Sequence, residues 1–399
     1  MTRPLLSQRE FVATMAMLFA TVALSIDAML PGLPLIAAQL TPDAPNLAQL
    51  VVTSFVLGMG IGTLISGPMS DAFGRKPVLI GSAVIYAVAA ALCFFAPSLE
   101  TLLIARVLQG IGGAGPRAVG TALMRDLYKG RDMARIISFV MMIFTLVPAV
   151  APLIGQGVMA VAGWRDLFLV FLAFSAMVNL RFFLRQPETL PPAARRPLHL
   201  SLLWSATKEL AHHRIALTST LCQTLTQACL FATLSSIQGI FDQYFHIAAW
   251  FQICFTLIAV CAMSGSFVNA RIVMQVGMRR VLIATYILQV GLTLLVLAGL
   301  FAGVLGPLAL PAFLIWAIGI FAMMGLSMGN LNALAMEDLG HIAGFASSVI
   351  TAFATMGSVV LAIPVGQAFN GTPLPLLIGV LMFSSVALVL IQMVRKRPA

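Results

Sequence analysis

Charge is scarce in this sequence: only 9% of its 399 residues are Asp, Glu, Lys or Arg, whereas 60% are hydrophobic. Water-soluble domains carry about a quarter of their residues as charges, so this composition excludes a water-exposed globular surface. The chain also lacks the apolar-polar alternation of a membrane β-barrel. A helix, in contrast, forms all of its backbone hydrogen bonds within itself and is therefore stable in lipid. The composition therefore predicts an all-α membrane protein.

Cysteine and histidine are too few and too scattered to indicate redox or metal chemistry. The five cysteines lie in apolar stretches without a CxxC pair, and no histidine cluster lies beside them. Packed core thiols are the simplest interpretation. The sequence has no nucleophile elbow, phosphate-binding loop or paired carboxylates, and no soluble output domain. We therefore expect neither an enzyme nor a sensor, and no cofactor or metal.

Long apolar stretches make up most of the sequence. Each is long enough for a helix that crosses a hydrocarbon core of about 30 Å. The first is longer than a signal-peptide core and contains a charge, so we expect it to be retained. The sequence predicts twelve spans, at 11–40, 47–70, 77–96, 98–127, 133–162, 165–186, 213–243, 247–271, 278–303, 308–336, 341–370 and 373–394.

The basic residues fall on one side of these spans. If the N-terminus is cytoplasmic, all of the 23 basic residues face the cytoplasm except Arg165, on the far side, and Arg106 and Arg117, inside a span. This asymmetry is the positive-inside pattern and not a nucleic-acid footprint. It predicts a multi-pass protein of a bacterial inner membrane with both termini cytoplasmic. We expect a monomer whose partners are the bilayer and a small-molecule substrate.

The chain divides into two similar halves. We predict a six-helix bundle over 1–186, a proline-rich cytoplasmic linker over 187–212 and a second bundle over 213–399. A short stretch that starts at Gly74 (GRKPVLI) recurs from Gly277 (GMRRVLI), about half a chain length later. Duplication of a helical unit is typical of transporters.

The loop between the second and third spans carries a recognisable motif. The run Gly67-Pro-Met-Ser-Asp71-Ala-Phe-Gly74-Arg75-Lys76-Pro77 resembles the loop motif of the major facilitator superfamily. Its glycines allow a tight turn, Asp71 can face a helix N-terminus, and Arg75 can pair with a carboxylate such as Asp126. The resemblance implies a gating or conformational role for Asp71, Gly74, Arg75 and Asp126.

Further motifs resemble the superfamily's drug:proton antiporters, in the bicyclomycin and chloramphenicol resistance branch. The likeness is dense in the first half and thin in the second. It implies a major facilitator fold of twelve helices in two bundles, and drug export in exchange for protons. The matching runs are Asp27-Ala-Met-Leu-Pro31-Gly-Leu-Pro34, Arg106-Val-Leu-Gln109-Gly110, Met124–Tyr128, Ser138–Met141, Ala151-Pro152-Leu-Ile-Gly155, Gly163-Trp164-Arg165-Asp-Leu-Phe168 and Pro187-Glu188-Thr189.

Asp27 is the only one of thirteen acidic residues well inside a predicted span. An embedded carboxylate is costly and indicates function by default. Helical rise places Asp27 about 24 Å from the inner edge and Arg106 about 10 Å below the outer edge, depths that agree. We therefore expect both residues to share a cavity and to serve proton coupling and, with Gln109, substrate binding. The alternative is a static ion pair that locks the bundle.

Two other features of the first half bear on transport. Arg117 follows Pro116 near the cytoplasmic end of its span, where it would serve an inner gate, lipid headgroups or substrate. Pro148 and Pro152 remove backbone hydrogen bonds and are expected to kink the fifth helix, which would help it move. Membrane helices also tolerate proline without gating.

The second half offers uncharged polar groups in mid-span, among many Met and Phe. Gln223, Gln227, Asn330 and Asn332 are the candidate substrate-binding residues. They would line an adaptable pocket, although an interhelical hydrogen bond is the simpler use for any one of them. We predict export of small amphipathic, neutral or weakly charged compounds such as amphenicol-like antibiotics. The rival is a transporter of one metabolite, such as a sugar, amino acid or siderophore, on the same fold.

Overall fold

The chain forms two helical units in a computed structural model that describes residues 6–195, 200–337 and 343–393. Within these ranges the secondary structure is helical, with no strand. The units are Met1–Leu203 and Trp204–Ala399, so their boundary lies inside the segment expected to link two bundles. That segment contains a helix of its own, α8 (Leu200–His212).

The first unit contains the helices of the first six predicted spans. They begin and end close to the predicted bounds, except that two helices share the first span. They are α1 (Gln8–Asp27), α2 (Leu33–Leu40), α3 (Leu50–Phe73), α4 (Arg75–Phe94), α5 (Leu99–Leu127), α6 (Gly130–Val161) and α7 (Asp166–Arg185).

The second unit has one long helix for each of its six predicted spans. A short π-helical turn, Ile240–Tyr244, continues the first of them. They are α9 (Arg214–Gly239), α10 (Phe251–Val276), α11 (Met278–Phe301), α12 (Ala309–Met336), α13 (Ala343–Gln367) and α14 (Leu374–Met393).

Eleven helical segments in the described ranges are long and apolar enough to cross a membrane. The remaining long helix, α5, has 29 residues but is diluted by Arg106, Gln109, Arg117 and several glycines. Those glycines let α5 pack closely: a Cβ on Gly110 would lie 2.0 Å from the carbonyl oxygen of Phe55 on α3. With α5 included, each unit has six spans, as the sequence predicts.

The repeated motif forms the same turn in both units. Gly74 ends α3 with φ +107°, and Gly277 ends α10 with φ +87°. Both values lie in the region that favours glycine, so the tight helix-to-helix turn depends on these residues. The structure therefore supports the duplication that the sequence indicates.

The first predicted span is broken near its middle. Helix α1 ends at Asp27, a 3₁₀ turn follows at Leu30–Gly32, and α2 begins at Leu33. Pro31 cannot donate a backbone hydrogen bond, which favours an interruption at this point. The segment Gln8–Leu40 still forms one candidate membrane span, as the sequence predicts, and the break places Asp27 at the end of α1.

Candidate functional site

Asp27 is the last residue of α1 and is buried, with 5% of its surface exposed. No hydrogen bond or ion pair reaches its carboxylate from the part of the chain that the structure describes. A buried carboxylate normally has a partner, because leaving a charge unpaired away from water is costly. In the described contacts, the Asp27 carboxyl group therefore makes no hydrogen bond or ion pair that would stabilise the fold.

Helix α6 packs directly against the break beside Asp27. A Cβ on Gly155 would lie 2.1 Å from the carbonyl oxygen of Ala28, so the α6 backbone touches the break. Pro148 and Pro152 lie inside α6, within two turns of this contact. Each proline removes one backbone hydrogen bond of α6. The two prolines that the sequence marks as candidates for helix movement therefore lie near the interruption in the first span.

Arg106 is fully buried and fastens the end of α1 to two other elements. Its Nη2 donates to the Ser25 carbonyl oxygen at 3.1 Å, its Nε to the Val51 carbonyl oxygen at 3.0 Å, and its Nη1 to Gln109 Oε1 at 2.7 Å. Ser25 lies in the last turn of α1, where carbonyl groups lack helical partners and a positive charge is favourable. No ion pair joins Arg106 to Asp27 among the described residues.

The Arg106 network extends to a hydrogen-bonded pair of hydroxyl groups, and each unit has such a pair. Ser25 Oγ is hydrogen-bonded to the Tyr86 hydroxyl on α4. In the second unit, Thr226 Oγ1 is hydrogen-bonded to the Tyr286 hydroxyl at 2.7 Å, between α9 and α11. The duplicated units therefore keep this pair of hydroxyls, whereas the embedded charges belong to the first unit.

A second network surrounds the turn between α3 and α4. Arg75 Nε donates to Asp126 Oδ2 at 2.9 Å, while Arg75 Nη1 donates to Asp71 Oδ1 and, at 2.8 Å, to Ser70 Oγ. Arg75 is itself buried, at 7% exposure. The contact between Arg75 and Asp126 that the sequence motif suggests is present. Its function in gating remains a prediction.

Glu188 completes this network, a role that sequence reasoning missed. Its carboxylate accepts the backbone N–H groups of Arg75 and Lys76, each at 3.0 Å, at the start of α4. It also accepts the N–H groups of Thr189 and Leu190, and Thr189 Oγ1 donates to Asp126 Oδ2 at 3.2 Å. The Pro187-Glu188-Thr189 motif was the only signal, because nothing in its spacing shows a partner more than a hundred residues earlier.

Replacing Glu188 by glutamine should destabilise the first unit. The glutamine side chain would lack the negative charge that is favourable at a helix N-terminus. Its amide N–H groups would also face the backbone N–H groups of α4, so that donors would meet donors. We expect a loss of about 1–3 kcal/mol, seen as a lower unfolding temperature of the purified protein. Glu337→Gln, at an exposed acid after α12, is the control. An unfolding temperature equal in both variants would contradict this role.

The candidate residues of the second unit have different environments. Gln227 Oε1 accepts from Thr355 Oγ1 at 3.3 Å, and Asn330 Nδ2 donates to Asn269 Oδ1 at 2.7 Å. These are interhelical hydrogen bonds, the simpler use considered from sequence. Gln223 Nε2 is buried with no hydrogen-bond acceptor in the described residues. Asn332 is exposed on α12.

The Gly163–Phe168 motif fixes the segment beyond the break. Trp164 Nε1 donates to Gln39 Oε1 at 2.8 Å, and Arg165 Nη1 donates to the same oxygen at 3.1 Å. Arg165 Nη2 donates to the Ala96 carbonyl oxygen at 3.2 Å. Since Gln39 belongs to α2, this cluster holds α2 while Arg106 holds α1.

Comparison with known proteins places these features in a family. The family model described as the Major Facilitator Superfamily matches residues 15–363. An uncharacterized MFS-type transporter, YdgK, of Bacillus subtilis is 30% identical over 334 residues, 82% of this chain and 81% of that protein. A bicyclomycin resistance protein homolog of Haemophilus influenzae is 28% identical over 374 residues, 90% of each chain.

Two further similarities agree with this placement. The multidrug resistance protein MdtL of Salmonella heidelberg is 34% identical over 210 residues, 50% of this chain and 52% of that protein. The structure of the xylose transporter XylE from E. coli covers 97% of this chain and 98% of its own, with a TM-score of 0.72 at 13% identity, and shows the shared fold. The chain therefore belongs to the Major Facilitator Superfamily, as a multi-pass membrane transporter of small molecules with relatives named for bicyclomycin and multidrug resistance.

Proposed function

We propose that this protein exports small amphipathic compounds across a bacterial inner membrane in exchange for protons, with Asp27 as the proton-carrying group. The observation that carries the proposal is the unpaired, buried carboxylate of Asp27 at the break between α1 and α2. The names of two relatives, a bicyclomycin resistance protein homolog and a multidrug resistance protein, favour drug-like substrates.

The surroundings of Asp27 suit a group that gains and loses a proton. Without a basic partner, the buried carboxyl group is cheapest as the neutral acid. When water or substrate reaches the break, it can stabilise the charged carboxylate, and the proton can then leave. Arg106 does not fix either state in the described contacts, because its three hydrogen bonds go to carbonyl groups and Gln109 and none goes to Asp27.

The break provides an element whose position can change with protonation. Arg106 holds α1, and Gln39, Trp164 and Arg165 hold α2, while Asp27 lies at the junction. The proline-containing α6 contacts the same junction at Ala28. We propose that movement at this junction accompanies alternating access and that the Arg75 network opens and closes with it.

In the second unit, the groups available for substrate binding carry no charge. The buried Gln223 has an unused donor, and hydrogen bonds already fix Gln227 and Asn330. We propose that Gln223 binds substrate, whereas Gln227 and Asn330 shape the site and Asn332 lies at its edge. The proton gradient suffices for export: each proton supplies about 1.4 kcal/mol per pH unit and about 2.3 kcal/mol per 100 mV.

An imposed pH gradient tests this function. We expect proteoliposomes with an acidic interior to accumulate radiolabelled chloramphenicol, because protons leaving would exchange for drug entering. A protonophore should abolish the accumulation, and protein-free liposomes should show none.

Accumulation that ignores the pH gradient would contradict proton antiport. Saturable uptake of one sugar, amino acid or siderophore, without competition from drugs, would instead favour a transporter of a specific metabolite. Both outcomes can be read from the same vesicles with a panel of labelled compounds.

A further inference from the structure

A second arginine lies on α5, and nothing in the described structure engages its charge. Arg117 is exposed, whereas Arg106 on the same helix is fully buried and makes three hydrogen bonds. No ion pair or side-chain hydrogen bond of Arg117 occurs in the described ranges; only its backbone carbonyl oxygen accepts a bond, from Thr121. Arg117 is therefore a cation with free donors.

The depth of Arg117 makes a free charge notable. Helix α5 runs from Leu99 to Leu127, which is about 43 Å at 1.5 Å per residue. Arg117 lies about 27 Å from its start and about 15 Å from its end, within the span of a hydrocarbon core of about 30 Å centred on the helix. A charge at this depth must face water, a partner or a ligand.

The face of α5 that carries Arg117 is not the face turned to lipid. The exposed apolar residues Ile104 and Leu108 mark the lipid side. Arg117 follows Leu108 by nine residues, about two and a half turns, and so lies on the opposite face. The headgroup role considered from sequence does not fit that position.

The same face carries Arg106, about three turns earlier. Around Arg106 it is covered by Phe55 of α3, whose ring lies 4.4 Å from the guanidinium carbon. Beyond Arg117, Phe19 of α1 covers it at Gly120. Arg117 lies between these two closed regions, and its own side chain is exposed. That combination is typical of a side chain that lines a cleft.

We propose that Arg117 binds the acidic group of the transported compound, so that the preferred substrates are amphipathic organic monoanions. This inference rests on the proposed transport function and specifies its substrate class. A guanidinium pairs a carboxylate or similar acid through two parallel hydrogen bonds. The acid Asp27 would not compete while it is protonated, and of the embedded cations Arg106 and Arg117 only Arg117 has no side-chain hydrogen bond in the described ranges.

Two fluorescent probes that differ only in charge test the proposal. N-dansylglycine is an amphipathic monoanion, and its methyl ester is uncharged. We expect the purified full-length protein in lipid nanodiscs to bind the anion at least about tenfold more tightly than the ester. Arg117→Gln should remove that preference while it keeps binding of the ester, and Arg117→Lys should keep part of it. Arg125→Gln, at an exposed arginine in the last turn of α5, should bind both probes like the parent.

Equal binding of the two probes by the parent, or no binding of the anion, would overturn the proposal. A preference for the anion that survives in Arg117→Gln would also overturn it. The accumulation of chloramphenicol driven by a pH gradient is the separate readout of the transport function. Accumulation without anion preference refutes only the substrate class, whereas anion preference without accumulation refutes only proton antiport.

Discussion

Asp27→Asn is expected to reduce the proton flux that chloramphenicol triggers in proteoliposomes to the level of protein-free vesicles. Asparagine matches the size of aspartate but cannot carry a proton. The carboxylate of Asp27 has no ion pair to lose in the described contacts, so the variant should fold as the parent does. Its unfolding temperature should accordingly stay close to that of the parent.

Asp43→Asn is the matched control for this prediction. Asp43 is exposed in the turn that follows α2, a short distance along the chain from Asp27. Its variant should retain the full proton flux. Parental flux in Asp27→Asn would remove Asp27 from the coupling mechanism.

Arg106→Lys is expected to destabilise the first unit by about 3–5 kcal/mol. A lysine cannot reach the carbonyl oxygens of Ser25 and Val51 and the Gln109 side chain at once, because its ammonium is a single point on a flexible stem. The carbonyl groups of Ser25 and Val51 would then lose hydrogen bonds to a charged donor, although Val51 would keep its bond from Ser54 Oγ. We expect a markedly lower unfolding temperature of the purified protein and poor recovery from membranes.

Arg125→Lys tests whether this effect belongs to the site and not to the substitution. Arg125 lies on the same helix but is exposed, so its variant should unfold like the parent. If Arg106→Lys were as stable as Arg125→Lys, the hydrogen bonds of Arg106 would not hold α1 in place.

Much of this fold follows from composition and periodicity. The hydropathy of the chain predicts twelve spans, and the helices begin and end within a few residues of the predicted bounds. Lipid explains this accuracy, since a helix that crosses it must be apolar for about twenty residues. The repeated turn at Gly74 and Gly277 also follows, because both glycines adopt the positive φ that the motif needs.

The interruption of the first span was not predictable from hydropathy. Both sides of the break are apolar, so the average hydropathy stays high across it and does not mark its position. Pro31 and Pro34 were visible, but proline also occurs inside α3, α5 and α6 without ending these helices. Packing of α6 at Ala28 depends on contacts distant in sequence, which local patterns do not contain.

The partners of the embedded charges were only partly predictable. Helical rise gives depth, and Arg106 does reach the last turn of α1, at Ser25, two residues before Asp27. Spacing does not fix helix rotation, and rotation directs Arg106 to the carbonyl oxygen of Ser25. The ion pair between Asp27 and Arg106 that the sequence left open as an alternative does not occur among the described residues, where Arg106 bonds to carbonyl groups instead.

The most direct test of the central claim is an infrared difference spectrum recorded while chloramphenicol is added to the reconstituted protein. If Asp27 carries the proton, substrate should remove an absorption band of a protonated carboxyl group, and that change should be absent in Asp27→Asn and present in Asp43→Asn. A carboxyl band change that persists in Asp27→Asn, or no such change in the parent, would contradict the role of Asp27 as the proton carrier.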